Sequence, residues 1–189
     1  MSHPISLAVT DDLRRTRLTV AFRIILVIPH LVWLSLWGIV VALAVIVSWF
    51  ATLFAGTTPE GLHSFIAQYL RYSTQVFGYL SFLGDPYPGF LGDRAYDADL
   101  VIAPPAPQNR WKTGFRIILA IPALIVSSII RNLIVIIAVI SWFACLFTGA
   151  MPVGLRNLTA WMIRFTQQTN GYLFLLTDRY PSFSTDPFE

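Results

Sequence analysis

Charged side chains are scarce in this sequence, which excludes an ordinary soluble domain. Asp, Glu, Lys and Arg make up 12% of the 189 residues, whereas a typical globular domain carries about 25%. Hydrophobic residues make up 56%, and the mean hydropathy is +0.65. This balance is typical of an integral membrane protein, in which apolar side chains face lipid.

Groups that carry chemistry are also scarce. The single cysteine, Cys145, lies in an apolar run, so no disulfide can form within the chain and the thiol is expected to be inert. The three histidines have no metal-ligand spacing, and the sequence contains neither a Gly-rich phosphate loop nor a nucleophile elbow. We therefore expect no catalytic residues, no metal and no cofactor. A net charge of +3 is too small to indicate nucleic acid and suits a membrane surface better.

The apolar residues are concentrated in two blocks, Leu18–Ala55 and Gly114–Thr148. The segment before the first block, MSHPISLAVTDDLRRTR, contains two acids and no short apolar core. It does not read as a secretory signal, and the first block is much too long for a signal core. We expect both blocks to be retained and to lie in a bilayer.

A shift of 93 residues aligns the two halves of the sequence without a gap. SWFATLFAG at 48–56 then matches SWFACLFTG at 141–149, and FRIILVIP at 22–29 matches FRIILAIP at 115–122. Between Val20 and Phe90, 30 of 71 aligned positions are identical. Such self-similarity indicates a duplicated structural unit.

Each unit has a strand-like leader, a basic turn, the long apolar block, an amphipathic stretch and a closing Asp-x-Tyr-Pro-x-Phe. We place unit one at 1–92 and unit two at 113–189. The Pro-rich linker at 93–112 is expected to be extended and stiff. The predicted fold class is an all-α integral membrane protein of two gapless tandem repeats with short strand-like leaders.

The length of the apolar block leaves two arrangements open. Ile24–Ala55 comprises 32 residues without formal charge, and one span needs about 20. A helical hairpin would turn near Gly38 in unit one and near Arg131 in unit two, and its short arms would thin the bilayer or form a wedge. One long helix would bend at Pro29 and Pro122 and would place Arg131 in hydrocarbon, at a cost of about 2.5–3.5 kcal/mol.

The amphipathic stretch Pro59–Leu83 has apolar residues at helical spacing on one side. Such a helix usually lies in the membrane interface, although in the long-helix arrangement it could cross back. Basic residues precede both apolar blocks, at 14–23 and at 110–116. The positive-inside rule therefore predicts that both block starts, both termini and the linker are cytoplasmic. The repeat is then parallel, with a pseudo-two-fold axis along the membrane normal.

Taken together, these motifs resemble a bacterial, mostly actinobacterial, family of tandem-repeat membrane proteins classified as a domain of unknown function (DUF4389-like). The resemblance rests on the motifs FRIILxIP, SWFAxLFxG, PxGL, GYL and DxYPxF and covers about Ser6 to Phe183. It implies a multi-pass protein of the bacterial cytoplasmic membrane and no particular activity.

Four arginines are candidates for lipid-headgroup binding: Arg23, Arg116, Arg71 and Arg164. Arg23 and Arg116 directly precede Ile-Ile-Leu runs, where they either anchor the helix by snorkelling or bind an anionic lipid. For Arg71 and Arg164 three roles are open. Each arginine forms a salt bridge with an acidic residue, contacts a lipid headgroup, or belongs to a conducting or substrate path.

The closing motif is expected to end the amphipathic helix, because proline biases the preceding residue away from helix, or to dock a partner. Its residues are Asp85, Tyr87, Pro88 and Phe90 in unit one and Asp178, Tyr180, Pro181 and Phe183 in unit two.

Three functions fit these observations. The first is a non-enzymatic scaffold or accessory subunit, as a homo-oligomer or in a larger membrane complex, with the phospholipid bilayer as a partner and anionic lipid as a ligand. The second is a membrane-shaping wedge with reticulon-like architecture. The third is a small oligomeric transporter or channel in which Arg71, Arg164 and Arg131 face a pore. A lipid-modifying enzyme would lack an acid–base or nucleophile pair.

Overall fold

The protein is mostly helical and contains one two-stranded sheet. The computed structural model describes residues 3–92 and 96–184. The elements in chain order are β1 Ile5–Val9, α1 Arg17–Ala55, α2 Glu60–Leu80, β2 Ala98–Ile102, α3 Arg110–Gly114, α4 Arg116–Thr148 and α5 Val153–Leu173. Helices α1 and α4 are long and apolar enough to cross a membrane, by length and composition.

Both apolar blocks form single long helices, so the hairpin arrangement is wrong. Gly38, where the first hairpin would turn, lies inside α1 and faces the phenol of Tyr69, whose Oη is 3.0 Å from where a Cβ would stand. Pro29 and Pro122 are both accommodated within the helices. The helices end at Gly56, with φ of 81°, and at Gly149, with φ of 74°, because glycine enters this left-handed region without steric cost.

Each long helix buries one narrow stripe and exposes the rest of its surface. In α1 the buried positions recur every three or four residues, for example Val20, Arg23 and Val27. Large apolar side chains are exposed at the beginning, middle and end of the same helix: Leu18, Ile39 and Phe54 are 70%, 65% and 73% exposed. The same pattern recurs in α4. Both helices therefore present an apolar outer surface along their whole length.

The amphipathic stretches form α2 and α5. Helix α2 ends at Leu80, three residues before the predicted Leu83. Phe82 adopts a φ of 66°. The amide of Leu83 donates to the carbonyl of Gly78 at 2.8 Å, and the amide of Phe82 donates to that of Tyr79 at 3.2 Å. This is a Schellman ending, here built on a left-handed phenylalanine. Leu175 ends α5 in the same way.

The two leaders are strands, as predicted, and they pair with each other. β1 and β2 are antiparallel, and Leu7 lies opposite Leu100. These two leucines are repeat equivalents, since 100 − 7 = 93. A pseudo-two-fold axis therefore passes through this pair, perpendicular to the sheet. The all-α class was incomplete, because the leaders can satisfy their backbone groups only across the repeat. Part of the predicted linker is thus a strand, and its residues 93–95 lie outside the described residues.

Helices α1 and α4 run in opposite directions. The indole of Trp142, near the end of α4, donates to Val20 O at 3.0 Å. The indole of Trp49, near the end of α1, donates to Thr113 O at 2.9 Å. Each helix end therefore lies beside the other helix start. Two spanning helices in this relation would cross the bilayer in opposite senses, so a parallel repeat in which both span is excluded.

Three layers follow one another along the pseudo-two-fold axis. In α2, Tyr69 contacts Trp37 of α1, while Gly78 contacts Ala98 of β2. Positions nine residues apart in a helix are separated by about 2.5 turns and so point to opposite sides. Since β1 packs on α5 as β2 packs on α2, α2 and α5 form a middle layer. The sheet lies on one side of it and α1 and α4 lie on the other.

The strand register can be tested by disulfide trapping in a Cys145→Ala background. Ser6 and Val101 are paired on the outer face of the sheet, where directly opposite Cβ atoms are about 4.5–5.5 Å apart. We expect Ser6→Cys with Val101→Cys to cross-link on oxidation, measured as a mobility change in non-reducing gels. The matched control is Ala8→Cys with Val101→Cys, a diagonal pair at about 7–8 Å. Faster cross-linking of the control would contradict the register.

Candidate functional site

Arg23 joins the start of α1 to the end of α2. Its Nη1 donates to Tyr79 O at 2.7 Å and to Gly84 O at 3.1 Å, and its Nη2 donates to Asp85 Oδ1 at 2.9 Å. The residue is 1% exposed. The last carbonyls of a helix have no intrahelical partner and carry partial negative charge. The guanidinium satisfies and neutralises this helix end.

Arg116 makes the equivalent contacts in the second unit. Its Nη1 donates to Tyr172 O at 2.6 Å and to Thr177 O at 3.0 Å. Its Nη2 lies 3.4 Å from Asp178 Oδ1 and donates to Gln108 Oε1 at 2.7 Å. All three partners in the first unit have their equivalents here, so the clamp is a property of the repeat.

A tyrosine ring completes each clamp. The guanidinium carbon of Arg23 lies 4.2 Å from the centroid of the Tyr79 ring, and that of Arg116 lies 4.6 Å from Tyr172. Burial raises the pKa of both phenols, so each ring is neutral at physiological pH. The ring faces attract the cations by cation–π interaction.

A second cap was not recognised in the sequence. Arg15 Nη2 donates to Phe82 O at 2.7 Å and forms an ion pair with Asp11. At the equivalent position in unit two, Gln108 Nε2 donates to Leu175 O at 2.7 Å. Because 108 − 15 = 93, the repeat alignment places the two caps in register. The chemical difference between arginine and glutamine concealed their shared role.

The burial of Arg23 and Arg116 bears on their predicted contact with lipid headgroups. Both side chains are 1% exposed, and their terminal nitrogens bind carbonyl and carboxylate oxygens inside the protein. The terminal nitrogens of both guanidinium groups are therefore occupied by protein oxygens instead of a phosphate. This geometry assigns the two residues to capping the short helices, and the lipid contact stays a prediction.

Arg71 and Arg164 also have internal partners. Arg71 binds Asp99 of β2 through both carboxylate oxygens, at 2.9 and 2.6 Å. Arg164 donates to Ser184 O. Arg71 is thus a member of a salt bridge, and its partner is Asp99. These contacts give no support to a pore lined by the two residues.

The closing motif does not end the short helices, because α2 and α5 both end before it begins. In unit one the motif folds back along α1, and in unit two it contacts α5. Asp85 accepts from Thr16 Oγ1 at 3.0 Å in addition to Arg23. Tyr87 Oη donates to Leu26 O at 3.1 Å, and Phe90 stacks on His30 with centroids 4.5 Å apart. Pro88 and Pro181 are buried. In unit two, Tyr180 lies edge-on to Tyr172 at 5.5 Å, and Phe183 stacks on Phe165 at 4.6 Å.

The geometry defines a helical tandem-repeat protein whose units share a sheet and whose short helices are capped by buried arginines. The chain belongs to the family described as Domain of unknown function (DUF4389), which matches residues 17–92 and 110–185. The two matched ranges are offset by 93 residues (110 − 17 = 93), which confirms the tandem repeat. No curated protein and no solved structure matches the chain.

The capping role predicts that Arg23→Lys and Arg116→Lys each destabilise the fold by about 1–3 kcal/mol. A lysine is a single point donor and cannot reach two carbonyls and a carboxylate in the planar geometry of a guanidinium. Thermal unfolding in nonionic detergent, followed by tryptophan fluorescence, measures the change. The control is Arg14→Lys, since Arg14 is exposed. Unchanged stability together with a loss of co-purifying phospholipid would instead support the headgroup role.

Proposed function

We propose that this protein is a non-enzymatic membrane protein whose helices α1 and α4 lie within one leaflet, and that it acts as a scaffold or accessory subunit of a membrane assembly. The observation that carries the proposal is the layering. The two long apolar helices form one outer layer, and the sheet with its flanking polar segments forms the other. A molecule of this form can bury the helical layer in lipid and keep the sheet in water.

Helix length favours an in-plane position over a crossing. The 39 residues of α1 extend about 58 Å and the 33 residues of α4 about 50 Å. To keep these apolar surfaces within a hydrocarbon core of about 30 Å, spanning helices would have to tilt by roughly 50–60°. Transmembrane helices in structures tilt between about 0 and 40°. Helices lying in the plane meet no such limit.

The position of Arg131 favours the same arrangement. It is exposed and lies near the middle of α4. In a spanning helix it would face lipid near the bilayer midplane, where an arginine costs at least about 2.5–3.5 kcal/mol. In a helix within one leaflet, the flexible side chain reaches the phosphates by snorkelling.

The in-plane arrangement also agrees with the distribution of basic residues. Antiparallel spanning helices would place the arginines before α1 and those before α4 on opposite sides of the bilayer. With both helices in one leaflet, the two clusters meet the same anionic surface, and each Lys or Arg near it contributes about 1 kcal/mol. The pseudo-two-fold axis then lies along the membrane normal.

Three positions on α1 test this proposal. Leu18, Leu36 and Phe54 are 70%, 55% and 73% exposed, and intervals of 18 residues, or five turns, place them on one side of the helix. We expect nitroxide labels at these positions, in reconstituted bilayers and a Cys145→Ala background, to show equal depth by oxygen and nickel-complex accessibility. A label at Ser6 serves as the water-exposed control. A label at Leu36 much deeper than those at the two ends would refute the in-plane position and support a spanning helix.

The same layer favours membrane shaping as a second candidate function. Two long helices inserted into one leaflet enlarge that leaflet relative to the other and so favour positive curvature. We expect the protein to reduce the diameter of anionic phospholipid vesicles in proportion to its surface density, as measured by electron cryomicroscopy. Vesicles of unchanged diameter at high density would leave the scaffold role and contradict the shaping role.

A further inference from the structure

An apolar cavity opens between the two repeat units, against the flank of α4. Its volume is about 490 Å³, which lies within the range of small-molecule sites. Apolar atoms form most of its surface. Val135, Ala138 and Trp142 of α4 line one side, and Phe77 and Leu80 of α2 line another.

One lining position of the cavity differs greatly in size between the repeats. Ser81 lines it, and the repeat equivalent of Ser81 is Phe174, since 174 − 81 = 93. Phe174 packs against the main hydrophobic core. The first unit therefore carries a small side chain where the second unit carries an aromatic ring.

One rim of the cavity carries an exposed cation. Arg131 lines the cavity, is exposed, and forms no hydrogen bond or ion pair with any residue in the described ranges. Its repeat equivalent is Gly38, which is covered by Tyr69. Arg23 also lines the cavity, and its buried Nε has no hydrogen-bond partner among the described residues. The only charge in the 117–148 run of α4 thus lies beside the cavity.

We propose that this cavity binds an anionic amphiphile, with one acyl chain between α4, α2 and α5 and the carboxylate or phosphate head at Arg131. An apolar cavity favours a hydrocarbon chain, because each buried methylene is stabilised by transfer from water. A guanidinium at the rim favours an oxyanion, which it binds through two parallel hydrogen bonds. The source is either a free fatty acid or a phospholipid of the bilayer. The inference depends on the cavity and not on the depth of α1 and α4.

Binding is measured with the full-length protein in nonionic detergent and radiolabelled palmitate. Ser81→Phe places in unit one the residue that unit two already contains, so we expect it to abolish binding. Ala138→Leu fills the cavity from the opposite wall and should weaken binding even if Ser81→Phe fails to fold. Arg14→Gln, at an exposed site away from the cavity, is the control and should bind like the wild type.

The role of the charge is measured separately. Arg131→Gln should weaken palmitate binding about tenfold or more, which corresponds to about 1.4 kcal/mol, and should leave methyl palmitate unaffected. Protein in phosphatidylglycerol nanodiscs distinguishes the two sources. A phospholipid that occupies the cavity would prevent palmitate from binding, whereas palmitate would still bind if the ligand is a free fatty acid. Glycerol phosphate alone, which has no acyl chain, should not prevent palmitate from binding. Unchanged binding in both Ser81→Phe and Ala138→Leu would overturn the cavity assignment. Equal affinity for the acid and its ester would overturn the role of Arg131.

Discussion

One buried guanidinium group holds each long helix against the end of its short partner, Arg23 in unit one and Arg116 in unit two. Burying an arginine is costly unless its charge is paired and its donors are satisfied. Here helix-end carbonyls, an aspartate and a tyrosine ring surround each group. The same contacts fix the turn after α2, because Arg23 binds Tyr79 before it and Gly84 and Asp85 beyond it. The path of the closing motif along α1 follows from this attachment, since Asp85 is its first residue.

The shared sheet explains why two units occur in one chain. A single unit would have one leader strand, whose backbone groups would be left without a partner at a sheet edge. In this chain the leader of each unit pairs with that of the other, and Leu7 faces its own equivalent, Leu100. The tryptophan bonds from Trp49 and Trp142 to the opposite unit repeat the same relation at the far side of the molecule. The antiparallel strands at one face and the antiparallel helices at the other are related by the same axis.

Local signals in the sequence predicted the parts of the fold but not their mutual direction. The long helices and the leader strands each depend on residues close together in the chain, and the repeat is visible from identities alone. The antiparallel relation depends on contacts 122 and 64 residues apart, which no local pattern encodes. Arg23 was open to misinterpretation for the same reason. The local sequence around an arginine before an apolar run is the same in both cases. The side chain can reach toward lipid phosphates, or it can cap the end of a helix that lies 56 residues further along the chain.

Differences between the repeats are as informative as their identities. The arginine, tyrosine, aspartate and tryptophan side chains that build the clamps and the Trp contacts are identical in both units. The pseudo-symmetric fold uses each of them twice. Gly38 differs from Arg131, and Ser81 differs from Phe174, and neither difference alters a clamp. Both differences border the same cavity. The charge beside this cavity therefore belongs to one unit alone, because its repeat equivalent is a glycine.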